Sequence, residues 1–187
     1  MMKHGRLGEW KSVVAAAAMS LLLCGCHDAG LDVSRSSLSR FAFPAPSLPR
    51  NVKLAPWGGS DKLPWMTGNP FASTDRKVLA ELEDGNQVAK ETARELLQVV
   101  YNWEEPGGGT TEIGVMAVRF KDAASAEAAT KGLKPRMDEN ARVEPHTAPT
   151  LLHRGDVVCI LQHSSAVDKD VWAAMVKLAD KALAESD

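Results

Sequence analysis

The chain has 187 residues, with 22 basic and 24 acidic side chains, a formal net charge of −2 and a hydrophobic fraction of 44%. Charges of both signs are mixed along it without a basic stripe, so the electrostatic footprint of a nucleic-acid binder is missing. Three cysteines are too few for a disulfide-stapled scaffold.

In chain order, Lys3, Arg6 and Lys11 precede an apolar run from Val13 to Leu23 that only Ser20 interrupts. A basic start followed by a short apolar stretch is the pattern of a secretory signal. A spanning helix needs about 20 apolar residues, and this run stops sooner, in Cys24-Gly25-Cys26-His27-Asp28. The run ends with Leu23 three places before Cys26 and Gly25 directly before it. This arrangement resembles the lipobox of bacterial lipoproteins. The resemblance implies that cleavage follows Gly25, that the Cys26 thiol receives a diacylglycerol, and that Cys26 begins the mature chain. With His27 rather than Asp after the cysteine, it also implies an envelope protein held at the periplasmic face of the outer membrane rather than the inner one. Cys24 as acceptor is rejected, because Leu23 would then precede the scissile bond, where a small residue is required.

Three segments are expected: a signal peptide over 1–25, a lipidated Cys26 with a Pro/Ser-rich tether over 26–74, and a small domain over 75–187. The tether assignment rests on Leu31-Asp32-Val33-Ser34-Arg35-Ser36-Ser37 and on six prolines between Pro44 and Pro70. Proline removes backbone donors and forbids long helices. A flexible coil of roughly 45 residues spans about 35–40 Å, which would let the domain work away from the membrane. Phe41, Phe43, Trp57, Trp65, Met66 and Phe71 punctuate the tether. Either those side chains pack on the domain, or the aromatic ones, Phe41, Phe43, Trp57, Trp65 and Phe71, dock on a partner protein, where Trp-rich hot spots are common.

Within the domain, Val78, Leu79 and Leu82 predict a short helix starting near Ser73 or Thr74 and ending by Gly85. Val88, Ala89, Ala93 and Leu96 recur at helical spacing and predict a second helix over about 86–96, while Leu97, Val99, Tyr101 and Trp103 alternate as a strand over about 97–104. Pro106-Gly107-Gly108-Gly109 turns the chain into a strand over Ile113–Phe120 that is apolar on nearly both faces. Asp122 caps an alanine-rich helix that should stop near Leu133, because Pro135 follows. A short edge strand is expected near Arg142-Val143-Glu144, then a hairpin of strands through Leu151-Leu152 and Asp156–Gln162. Asp168 starts a last helix with Val171, Met175, Leu178 and Ala182 on its apolar stripe. The pattern predicts an α+β fold: a mainly antiparallel sheet with helices packed on one face, a ferredoxin-like or related sandwich.

Chemistry is sparse. The glycine run at 107–109 leads into a strand and carries no lysine, so it reads as a hairpin loop rather than a phosphate cradle. Cys159 and His163 share a strand face but stand about 13 Å apart, too far for one ion. No metal or other cofactor is expected. His163, Ser164, Ser165, Asp168 and Asp170 have the residue types of a hydrolase, without a nucleophile elbow. Cys159 lies in a β-branched apolar run and is expected to be a buried, inert thiol. The expectation is a non-enzymatic binding module that contacts another envelope protein, attached to the membrane through Cys26, with no nucleic-acid partner. The alternative is a small-ligand or lipid-binding lipoprotein, which requires an apolar cavity.

Overall fold

A computed structural model describes residues 31–56, 66–86 and 88–185. Six antiparallel strands form one sheet: β1 (Val52–Leu54), β2 (Phe71–Ser73), β3 (Ala93–Glu104), β4 (Thr110–Phe120), β5 (Thr150–Arg154) and β6 (Val157–His163). Their order is β1-β3-β4-β6-β5, with β2 also paired to β3. Among the described residues three α-helices accompany the sheet: α1 (Arg76–Asn86), α2 (Ala123–Val143) and α3 (Lys169–Ala184). The α+β class and the antiparallel sheet are those the sequence pattern predicts.

The centre of the sheet is the β3–β4 hairpin, in which Leu97 pairs with Ala117, Tyr101 with Ile113 and Glu104 with Thr110. Gly108 adopts a φ of +89° in its loop, a backbone state that side chains disfavour. Because successive side chains point to opposite faces, Leu97, Val99, Tyr101, Ile113, Val115, Ala117 and Cys159 form one apolar face, while Leu96, Met116, Val118, Phe120, Val158 and Ile160 form the other. Two apolar faces need two covers. Val78 and Leu79 of α1, with Ala126, Ala129, Leu133 and Met137 of α2, cover the second face. Met175, Ala179, Ala182 and Leu183 of α3 cover the first. The expectation of helices on one face therefore holds for α1 and α2, and α3 lies on the opposite side.

The predicted helix over 86–96 is replaced by the start of β3. Leu96 and Leu97 are adjacent and both fully buried, one on each face. Paired apolar neighbours of that kind imitate helical spacing when read along the sequence. The preceding loop is held instead by the Glu83 carboxylate at the end of α1, which accepts from the backbone N–H groups of Glu91 (2.9 Å), Thr92 (2.9 Å) and Ala93 (2.8 Å) and pairs with Arg76.

Helix α2 does not stop at Leu133. It continues through Pro135 to Val143, so the expected strand near 142–144 is its last turn. Leu133 and Met137 lie one turn apart on either side of the proline, and both are buried against the sheet. Pro135 itself is exposed, which leaves the carbonyl it displaces open to water. Lys134–Asp138 and Glu139–Arg142 ion pairs flank it on the wet side. At the other end, Asp122 caps the helix by accepting from the Ser125 N–H at 2.7 Å.

The largest departure concerns the tether. Residues 31–56 cross the α3 face of the sheet in three short 3-10 turns and end in β1. Leu38 and Phe41 are fully buried there, and Phe43 stacks on Tyr101 with ring centroids 6.0 Å apart. The Tyr101 hydroxyl accepts from the Phe43 N–H at 2.6 Å, and burial pushes its pKa up, which keeps it a phenol. Ser36 donates to the buried Glu95 at 2.6 Å, and the Ser37 N–H does so at 3.0 Å. Arg119 joins Ser37 to Asp156, donating at 3.0 Å to each. The Ser-rich stretch is thus a staple to the sheet.

Strands β1 and β2 pair end to end along one edge of β3. Asn69 fills the gap between them: its amide donates to the Ala55 and Val100 carbonyls at 2.8 and 2.7 Å and accepts from the Val100 N–H at 2.9 Å. Leu31 adds an isolated bridge to Ala72 on the outer side of β2. The domain therefore includes residues 31–56 and 66–74, which the sequence assigns to the tether.

Candidate functional site at the hairpin end of the sheet

The polar residues that suggest chemistry in the sequence gather at one end of the sheet, where β6 leaves it and α3 begins. His163 pairs with Ile113 at the end of β6. Its Nδ1 lies 2.6 Å from the Ser165 carbonyl oxygen. A carbonyl only accepts, so Nδ1 carries the proton and Nε2 the lone pair. The ring meets Trp172 edge to face with centroids 4.4 Å apart. Burial pushes the imidazole pKa below its usual value, and the bond to the Ser165 carbonyl opposes that shift.

The neighbouring hydroxyls are committed elsewhere. Ser165 Oγ lies 2.5 Å from Thr111 Oγ1, which donates to Glu105 Oε1 at 2.8 Å. Ser164 Oγ accepts from the Glu112 N–H at 3.1 Å. Asp168 caps α3, accepting from the N–H groups of Asp170 at 2.9 Å and Val171 at 3.2 Å. His163 thus hydrogen-bonds a serine's main chain, and Asp168 caps the helix, as its place in the sequence predicts, rather than orienting the imidazole. A nucleophile, a base and an orienting acid are not aligned by these contacts. The cluster's effect is to fix the β6–α3 corner and hold the partly exposed Trp172 ring in place.

Among the described residues no group of three or more His, Cys, Asp or Glu side chains is placed to hold a metal ion. Cys159 is fully buried, and burial pushes its thiol pKa up, away from a reactive thiolate. A cleft between α1, α2 and the sheet, walled by Leu82, Glu83, Val88, Met116, Leu133 and Ile160, encloses about 20 Å³. That is room for one water, far below the roughly 300 Å³ of a small-molecule site.

The proposed docking residues separate into two groups. Phe41, Phe43 and Phe71 are buried in the core, at 0%, 7% and 2% exposure. Their packing removes those rings from any docking surface, and Met66 is buried beside Phe71 in the layer under α1 and α2. Trp57 and Trp65 lie outside the described residues, as do Gly25, Cys26 and the whole signal segment. Sequence reasoning overlooked Trp172, which lies next to Val171 on α3. The signal for it was a tryptophan one step round the helix from the buried stripe, where a ring is half covered. Among the described residues no helix is long and apolar enough to cross a membrane.

No protein family, curated protein or solved structure matches this chain.

Proposed function

We propose that this protein is a lipid-anchored component of a bacterial cell envelope whose domain binds another envelope protein and has no catalytic role. The observation that carries the anchoring is the order of a basic start, an apolar run and Leu23-Cys24-Gly25-Cys26. The binding role draws support from the hairpin end. There Trp172 presents a partly exposed ring backed by His163, in a corner fixed by the hydrogen bonds that Ser164 and Asp168 accept and by the Ser165–Thr111 hydroxyl pair. A rigid, half-covered tryptophan is the residue type that dominates protein interfaces. The 20 Å³ cleft lends no support to the small-ligand alternative.

The test is cross-linking of the lipid-anchored protein in cells, with mass-spectrometric mapping, for the natural chain and for Trp172→Ala. The reading expects one recurrent envelope partner, joined near Trp172 and lost in the variant, with the variant's melting temperature within a few degrees of the parent. Adducts only to lipid or to other copies of the chain would defeat the binding role. A Cys26→Ser chain that still took up palmitate label and stayed with membranes would defeat the anchoring.

A further inference from the structure

Residues 26–74 as a flexible tether would place the domain about 35–40 Å from its anchor. The fold leaves far less chain for that purpose. Leu31 is already hydrogen-bonded into the sheet, its N–H donating to the Ala72 carbonyl at 2.6 Å, and Ser36 and Ser37 are stapled to Glu95. Cys26 and Leu31 are five positions apart, and that length of chain reaches at most about 18 Å when fully drawn out.

We infer that the folded domain sits directly on the phospholipid leaflet that holds Cys26, with the Leu31 corner toward the lipid and the β3–β4 hairpin pointing away. This rests on the reading of Cys26 as lipidated. The orientation follows from where the short connection enters. Leu31 lies on the Ala72–Leu97 row of the sheet, and the end of β3 at Glu104 is seven residues further along the strand, roughly 23 Å.

Charge favours the same orientation. The distal end carries Glu104, Glu105 and Glu112, with Asp168 and Asp170 at the start of α3, against Arg50, Lys53 and Lys169. Beside Leu31 the side chains include Arg35, 80% exposed and only loosely paired with Asp32 at 4.0 Å. An anionic leaflet repels the acidic end and tolerates the mixed corner. Trp172 and His163 then face away from the anchor leaflet, where a partner in the aqueous space can reach them.

The experiment uses the full lipidated chain in vesicles of mixed phosphatidylethanolamine and phosphatidylglycerol that carry an acceptor dye on the headgroups. A donor dye is attached through Arg35→Cys or, separately, Gly107→Cys. Cys159 is fully buried and escapes labelling, and a side chain at Gly107 meets no other atom within 4 Å. Energy transfer several-fold stronger from position 35 than from position 107 is expected. A 40-residue Gly/Ser spacer inserted after Asp28 should reduce transfer at position 35 markedly. Equal transfer at the two positions, unchanged by the spacer, would overturn the orientation while leaving the anchor intact. A natural chain that neither floats with vesicles nor carries palmitate would overturn the anchor, and the orientation with it.

Discussion

Glu83 shows how one buried carboxylate replaces an element of regular structure. It is 1% exposed, and it gathers three backbone N–H groups and Arg76. Burial acts to raise its pKa, but the N–H donors of Ala93 and Glu91 together with the Arg76 guanidinium prevail and hold the carboxyl below the usual glutamate range. A folded-state value below the unfolded one gives stability that is complete above about pH 5 and drains away as pH falls through the folded value. Glu83→Gln should therefore lose on the order of 3 kcal/mol at pH 7. Its stability should also fall less steeply than the parent's below about pH 4, as read from urea titrations across that range. An identical acid limb in the two chains would show that Glu83 is not the group responsible. None of this was visible in the sequence, where Glu83 is one acid in an ordinary helix. The loop that it holds lies eight to ten residues further along the chain, and no periodicity links the two.

Elements differed in how openly the sequence declared them. Strand β4, the β5–β6 hairpin and α3 with its Asp168 cap were legible, because each is an apolar run or stripe closed by a clear boundary signal. Strand β3 was half legible: its outer part alternates, but where both faces are buried the alternation disappears. Helix α2 outruns its sequence signal, because proline marks a stop locally while the buried stripe of Leu133 and Met137 continues beyond it. The proline still has a cost. Pro135 is exposed and mid-helix, so Pro135→Ala restores a backbone donor and relieves the clash with the preceding turn, and should stabilise the protein by about 1–3 kcal/mol. A thermal melt several degrees higher is the expected result. A lower melting temperature would mean that α2 depends on a bend at that point.

At the scale of the whole molecule, the segment read as tether is a structural layer. Composition misled because serine and proline mark disorder only when too little apolar surface accompanies them, and here Leu38, Phe41, Phe43 and Val52 are all buried on the α3 face. A chain starting at residue 75, the boundary that composition suggests, would lack that cover and the two strands, β1 and β2, that pair along one edge of β3. It is expected to lose cooperative unfolding altogether, whereas a chain starting at residue 29 should melt as the parent does. A sharp transition in the shorter chain, seen by circular dichroism, would restore the tether reading.

Arg40 reaches across to the carbonyl of Glu185 and to that of Ser37, so the first and last described parts of the chain close the same layer. Time enters the fold at this point. A chain made from its N-terminus exposes Leu38, Phe41 and Phe43 long before α3 exists to complete their surroundings, and loops spanning most of the sequence must close before that face is dry. Until then its apolar segments are open to wrong partners, and the interval ends only when the last helix has emerged.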